Sequence, residues 1–163
     1  MSRLVAIFFG VGLLRPAPGT WGSAVAVLLG VVIFRFGSFP ALLVATALAT
    51  LAGFWACQRE LAGRPGADPS EIVIDEVAGQ WLALLFPAVA FWYRGFDGWM
   101  PYPGWVAAFV FFRLFDIWKP WIIGWADRRP DPAGVMLDDL IAGVFAGLAV
   151  VVAAGIAHGI VLR

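Results

Sequence analysis

Residues 137–162 read LDDLIAGVFAGLAVVVAAGIAHGIVL, an apolar run whose only carboxylates, Asp138 and Asp139, stand at its start. A run of roughly 20 apolar residues is long enough to cross about 30 Å of hydrocarbon as an α-helix. Residues 21–34, 41–57, 72–92 and 105–125 form further apolar stretches, the first two separated by a Gly/Pro turn at 37–40. Because a lipid-exposed backbone must satisfy its own hydrogen bonds, the pattern predicts an all-α transmembrane bundle of about five spans. We expect a single domain over residues 1–163.

The overall composition points to the same class. The chain is 62% hydrophobic and 13% charged, whereas a soluble protein carries about 25% charged residues. A soluble domain of this length has too little interior to bury so much apolar surface. The single cysteine excludes a disulfide scaffold, and 11 basic against 11 acidic residues exclude a nucleic-acid partner.

The ends and loops of the predicted spans indicate an orientation. Residues 4–14 are too few to span and predict a short interfacial or re-entrant helix. With five spans, one side of the membrane carries five arginines and the other carries three, so the positive-inside rule places the first side in the cytoplasm. The five are Arg15, Arg59, Arg64, Arg128 and Arg129, and the three are Arg35, Arg94 and Arg163.

The third span begins with two adjacent acidic residues. At about 100° per residue, Asp75 and Glu76 share one sector of the helix with Gly79 and Gln80. Two neighbouring carboxylates repel each other unless one is protonated or a cation lies between them. Mg²⁺ prefers such oxygen ligands, so the pattern predicts a Mg²⁺ site. A solvated helix entrance without metal is the alternative.

The fifth span also begins with a carboxylate pair, Asp138 and Asp139. One reading is simple capping, because the helix dipole favours acidic groups near an amino terminus. The other is that these residues meet Asp75 and Glu76 across the bundle and complete a four-carboxylate metal site.

Two basic residues and an aspartate lie in the fourth span. Arg113, Asp116 and Lys119 are spaced three apart and can neutralise one another along the helix. Alternatively, Arg113 or Lys119 binds an anionic phosphate, since ionisable groups within spans are often functional. Pro120 breaks or kinks the helix there and frees backbone groups, which suits a site.

The segment before the first span combines Pro, Gly and hydroxyl residues. Its Arg15, Thr20 and Ser23 can bind an anion at the amino terminus of a helix. Taken alone, the segment is better explained as a rigid capping turn, with Thr20 or Ser23 as the cap.

Four polar blocks occur in order along nearly the whole chain. Residues 12–23 read GLLRPAPGTWGS, 68–81 DPSEIVIDEVAGQW, 112–121 FRLFDIWKPW and 135–143 VMLDDLIAG. Together they resemble the motifs of the phosphatidylglycerophosphatase A family, including its FRxFDxxKPxP and IMxDDxxAG patterns. Ile122 stands where KPxP has its second proline, and residues 131–134 replace a glycine-rich stretch.

The resemblance implies a Mg²⁺-dependent lipid phosphatase of the bacterial inner membrane, with its site facing the cytoplasm. Its substrate would be phosphatidylglycerophosphate, whose terminal phosphomonoester is removed to give phosphatidylglycerol and inorganic phosphate. The attacking group is either an aspartate or water bound to the metal. Carried over by motif, the metal ligands or nucleophile would be Asp75, Glu76, Asp138 and Asp139, with Asp116 among them or orienting Lys119. Phosphate oxygens would be held by Arg113, Lys119, Arg15, Thr20 and Ser23, and supporting positions would be Asp68 and Gln80.

Two non-enzymatic alternatives compete with this reading. A carboxylate-dependent membrane carrier would need charges near the bilayer midplane and an internal repeat, neither of which the sequence shows. A structural subunit would use the same charges to pair with the spans of a partner protein.

Overall fold

The computed structural model describes residues 1–63 and 69–161, and this part of the chain is helical without strands. Asp68, Arg64 and Arg163 lie outside the described residues. The elements are α1 (Ser2–Ala6), a 3₁₀ helix (Phe8–Leu13), α2 (Pro18–Glu60), α3 (Ile74–Tyr93), α4 (Tyr102–Trp118), α5 (Ile122–Asp127) and α6 (Pro132–Val161). Three of these helices, α2, α3 and α6, are long and apolar enough to cross a membrane. The predicted all-α class is confirmed.

α2 contains 43 residues but is not one straight helix. Ser38 has φ 59° and ψ −166°, outside the helical region. Pro40 lacks the N–H that a continuous helix would need at this point. The break falls within the turn predicted between the first two apolar stretches.

The two arms of α2, residues 18–37 and 39–60, form a helical hairpin. A Cβ placed on Gly22 would lie 3.0 Å from Cβ of Val73, and one placed on Gly53 would lie 3.4 Å from Cγ1 of Ile74. A straight helix would hold the two glycines about 46 Å apart, so both can reach the start of α3 only because α2 folds back.

α3 is the central helix of the bundle and packs against α2, α4 and α6. Its Ala78, Ala83 and Leu84 are fully buried. By contrast, the outer faces of α2 and α6 leave apolar side chains such as Leu51 and Val152 exposed. Such a surface is expected of helices that face lipid.

The fourth apolar stretch is shorter than expected. α4 ends at Trp118, Lys119 takes the left-handed conformation (φ 48°, ψ 51°), and α5 begins only at Ile122. The reason is Pro120, which disfavours the helical conformation in the residue before it. The prediction of one span through residue 125 was therefore wrong. α4 is about 26 Å long, slightly less than the hydrocarbon core of about 30 Å, and the count of five spans stays a prediction.

The amino-terminal segment, predicted to be a short interfacial or re-entrant helix, consists of two short helical pieces. α1 ends at Ala6, and positive φ angles at Phe8, Phe9 and Gly10 interrupt the start of the 3₁₀ helix. Each piece is too short to cross a membrane. The N–H of Val73 donates to the carbonyl of Ala6 at 2.9 Å. This bond anchors the segment beside the start of α3.

Candidate active site

A cavity of about 800 Å³ opens at the end of the bundle where α3 and α6 begin and α4 ends. Pockets of this size take small molecules or head groups. Among the described residues, three basic ones line it, Lys119, Arg128 and Arg129. The carboxylates that line it in the same part of the chain are Asp75, Glu76, Asp116, Asp127, Asp131, Asp138 and Asp139. We call this space the acidic cavity.

Three of these carboxylates converge. One ligand atom each from Asp75, Glu76 and Asp139 lies within 4.8 Å of the others, and we call this group the acidic triad. Asp75 and Asp139 are buried, with 7% and 3% of their surface exposed. Because like charges at this separation repel strongly in a buried site, the arrangement favours a bound cation.

Asp138, the fourth expected metal ligand, has a different partner. Its Oδ2 accepts a hydrogen bond of 2.7 Å from Nζ of Lys119. Lys119 thus holds Asp138 on the cavity wall, whereas its neighbour Asp139 joins the triad. The structure therefore brings together three of the four predicted carboxylates and places Asp138 beside them on the cavity wall.

Lys119 reaches Asp138 because it has left the helix. One alternative from the sequence paired Lys119 with Asp116 along α4, but Lys119 lies outside the helix in the left-handed conformation. Lys119 instead forms ion pairs with Asp138 and Asp127. Burial acts to lower the pKa of Lys119, but the hydrogen bonds to Asp127 and Asp138 outweigh it and raise that pKa above its usual value.

Arg113 pairs with Asp116, one of the two alternatives considered from the sequence. Its Nη1 lies 2.5 Å from Oδ2 of Asp116 and donates to Oγ of Ser23 at 3.3 Å. Ser23 in turn donates to the carbonyl of Gly19 at 2.9 Å. Arg113 thus joins α4 to the first turns of α2, and Asp116 interacts electrostatically with Asp139 of the triad.

Two glycines permit the close helix contacts that assemble the triad. A Cβ on Gly79 would lie 2.5 Å from the carbonyl oxygen of Asp139, so α3 and α6 touch through their backbones there. A Cβ on Gly19 would overlap the carboxylate of Glu76. Small residues at these positions let neighbouring helices approach closely.

Several buried polar atoms near the triad have no hydrogen-bond partner among the described residues. They are Glu76 Oε2, Asp138 Oδ1, Arg113 Nε and both amide atoms of Gln80. A buried polar atom without a partner is costly, so such atoms mark places where an ion, water or substrate binds. The unpaired carboxylate oxygen of Glu76 fits a hard divalent cation, which prefers oxygen ligands.

Other predicted residues lie away from the cavity. Arg15 and Thr20 are exposed and do not line it, while Ser23 is buried behind it against Arg113. Of the turn before α2 and its first residues, Ala17, Pro18 and Gly19 face the cavity. Gln80 lies one turn beyond Glu76 on α3 and is fully buried.

The sequence analysis missed the contribution of α5 and the residues after it. Asp127 holds Lys119, and residues 128–132 form part of the cavity wall. In the sequence analysis, Arg128 and Arg129 were used only to predict the orientation of the chain in the membrane. Pro120 was the sequence signal for this contribution. Because α4 ends before Pro120, the chain turns there, and the residues that follow lie against the cavity.

The fold and site define a helical, membrane-associated protein with a cluster of carboxylates suited to a cation. The chain belongs to the phosphatidylglycerophosphatase A family, whose model matches residues 4–154. The resemblance drawn from the four motifs is confirmed, and the protein is a phosphatase.

Curated relatives agree with this assignment. Phosphatidylglycerophosphatase A of Haemophilus influenzae is 36% identical over 149 residues, covering 91% of this chain and 85% of the relative. The Escherichia coli protein of the same name is 34% identical over 144 residues, covering 87% and 77%. A putative phosphatidylinositol-3-phosphatase of Bacteroides thetaiotaomicron is 38% identical over 154 residues, covering 92% and 91%. No solved structure matches the chain.

Proposed function

We propose that this phosphatase removes the terminal phosphomonoester of phosphatidylglycerophosphate, giving phosphatidylglycerol and inorganic phosphate, in glycerophospholipid biosynthesis. The observation that carries the proposal is the acidic triad, three carboxylates within 4.8 Å on the wall of a cavity at one end of membrane-sized helices. Two curated relatives bear the name of this activity.

The acidic triad is the proposed Mg²⁺ site. Asp75, Glu76 and Asp139 supply oxygen donors, and Oε2 of Glu76 has no protein partner among the described residues. When bound, Mg²⁺ would supply positive charge that stabilises the phosphoryl group during transfer.

The remaining site residues position protons and charge. Lys119 fixes one oxygen of Asp138, and the other oxygen, Oδ1, has no hydrogen-bond partner in the described chain. We assign to that oxygen the proton of the attacking water. Water attacks phosphorus and gives a proton to Asp138, and the bond from phosphorus to the glycerol oxygen breaks. The leaving oxygen, on the opposite side of phosphorus, takes a proton from solvent, and Asp138 releases its proton to solvent. Arg113, held by Asp116, keeps α4 against the start of α2.

We further propose that the acidic cavity faces the cytoplasm of a bacterial inner membrane. Arg59, Arg128 and Arg129 lie at the cavity end of the bundle, and Arg35 and Arg94 lie at the opposite end. The distribution follows the positive-inside rule.

One relative supports a second substrate class. The Bacteroides relative named as a putative phosphatidylinositol-3-phosphatase covers nearly the whole chain. Both lipids carry a phosphomonoester beyond a phosphodiester, so the same site chemistry serves either one, and the test must compare them.

The test is phosphate release in detergent micelles with Mg²⁺ or with EDTA. Substrates are phosphatidylglycerophosphate, phosphatidylinositol 3-phosphate and phosphatidic acid. We expect turnover of the first lipid only with Mg²⁺, and a loss of at least about 100-fold in Asp75→Asn and Asp139→Asn.

Asp97→Asn is the matched control, because Asp97 is exposed at the opposite end and pairs with Arg35. It should retain the wild-type rate. Full activity in the two triad variants, or in EDTA, would contradict the metal site. Faster turnover of phosphatidylinositol 3-phosphate would replace the proposed substrate with the second one.

A further inference from the structure

Most of the basic side chains that the structure describes near the acidic cavity are neutralised by ion pairs. Lys119 is paired with Asp127 and Asp138, and Arg113 with Asp116. Arg129 donates two hydrogen bonds to Asp131, of 3.0 and 2.7 Å. These ion pairs leave little positive charge available to a substrate that carries two phosphates.

Arg128 differs from the other basic residues of the wall. It lines the cavity, is exposed, and has no ion pair with any carboxylate in the described part of the chain. Its guanidinium lies against α5, since a Cβ on Gly124 would be 3.4 Å from Nη1 of Arg128. The absence of a side chain at Gly124 leaves room for this arrangement.

The surroundings of Arg128 indicate its depth in the membrane. Trp118, Trp121 and Trp125, around the start and along the length of α5, expose 65%, 77% and 54% of their surface. Exposed tryptophans are typical of the layer where lipid head groups meet the acyl chains. The triad is buried while Arg128 is exposed, so the triad forms the inner wall and Arg128 the rim.

We propose that Arg128 binds the phosphodiester of the lipid substrate while the terminal phosphomonoester reaches the acidic triad. This assignment rests on the proposed function. A guanidinium suits the role because it is always charged and can bind two phosphate oxygens at once. Arg128 thereby selects lipids whose monoester lies one head-group unit beyond a phosphodiester.

The test uses the two products of the reaction as inhibitors. Phosphatidylglycerol carries only the diester, and inorganic phosphate resembles only the monoester. In Arg128→Gln we expect KM and the inhibition constant of phosphatidylglycerol to rise about 10- to 100-fold. We expect kcat and inhibition by inorganic phosphate to stay within about twofold, because the lost contact is the same in ground and transition states.

Arg59→Gln is the matched control, since Arg59 is exposed at the same end of the bundle but does not line the cavity. Arg128→Lys should restore part of the affinity for phosphatidylglycerol. An equal effect of Arg59→Gln would show general attraction to anionic lipid and overturn the assignment, as would unchanged phosphatidylglycerol inhibition in Arg128→Gln. Wild-type protein without activity on phosphatidylglycerophosphate would instead overturn the proposed function.

Discussion

Lys119 and Asp138 are joined by a 2.7 Å hydrogen bond that ties the end of α4 to the second turn of α6. Because Lys119 also binds Asp127, one ammonium group fixes three elements around the acidic cavity. Removing it leaves a buried carboxylate without its partner, which is costly.

Lys119→Met should therefore lower both stability and activity, the latter by about 100-fold. The raised pKa of Lys119 keeps it charged above the ordinary lysine value of about 10.4. Its stabilising contribution is present below that value and is lost only as pH rises through the raised pKa. The difference in unfolding temperature between wild type and variant should be the same at about pH 7 and about pH 9. A difference that shrinks over this range would contradict the ion pairs, and Lys119→Arg should recover part of the loss.

Mg²⁺ should stabilise the protein through the acidic triad. A cation at about 100 times its Kd adds about 2.7 kcal/mol, which corresponds to a rise of roughly 5–11 °C in unfolding temperature for a chain of this size. Asp139→Asn removes one repelling charge, so the metal-free variant should unfold at a higher temperature than metal-free wild type and show no Mg²⁺ response. Thermal unfolding in detergent measures both effects. Asp97→Asn should behave as wild type, and a retained Mg²⁺ shift in Asp139→Asn would exclude this site.

Gly79→Ala should separate α3 from α6 where Asp139 enters the triad. The added methyl meets backbone atoms of Asp139 and the ring of Phe112 at 2.5–2.9 Å, and such overpacking costs about 1–3 kcal/mol. We expect activity to fall more than stability, because a cation can bind only when all three carboxylates of the triad lie close together. Gly155→Ala is the control, since nothing lies within 4 Å of a Cβ there. Equal phosphate release by the two variants would refute the backbone contact as a requirement.

The side of the inner membrane that the acidic cavity faces can be measured by thiol labelling in intact cells. Cys57 is fully buried, so it gives little background. Arg59→Cys should be protected from an impermeant reagent until the inner membrane is opened, whereas Asp97→Cys should react from the periplasm. The reverse pattern would place the acidic cavity outside the cytoplasm.

Much of the fold could be predicted because a backbone in lipid must satisfy its own hydrogen bonds, which few conformations do. Long apolar runs must be helical, and the turn at 37–40 has its own Gly and Pro signature. Pro120 indicated a break after Trp118, but the sequence did not show that α4 ends there and that a separate helix, α5, follows. Whether a helix kinks or ends at a proline depends on the contacts beyond it, and here α5 returns to the cavity.

The sequence predicted which residues form the candidate site better than it predicted which of them contact each other. Asp75, Glu76 and Asp139 stood out because each belongs to an adjacent pair of carboxylates in an apolar span, where ionisable residues are rare. Their convergence depends on Gly79 touching α6, and the partner of Lys119 depends on a left-handed residue. Such side-chain directions come from tertiary contacts that sequence spacing does not contain.

The hairpin of α2 bears on how this chain is built during synthesis. Residues 18–60 carry none of the triad and leave the ribosome before α3 does. A helical hairpin already in the bilayer offers α3 a protein surface, with Gly22 and Gly53 placed to receive Val73 and Ile74. When α3 inserts into the bilayer, Asp75 and Glu76 therefore lie against the α2 hairpin. This contact lowers the free-energy cost of inserting two carboxylates beside lipid.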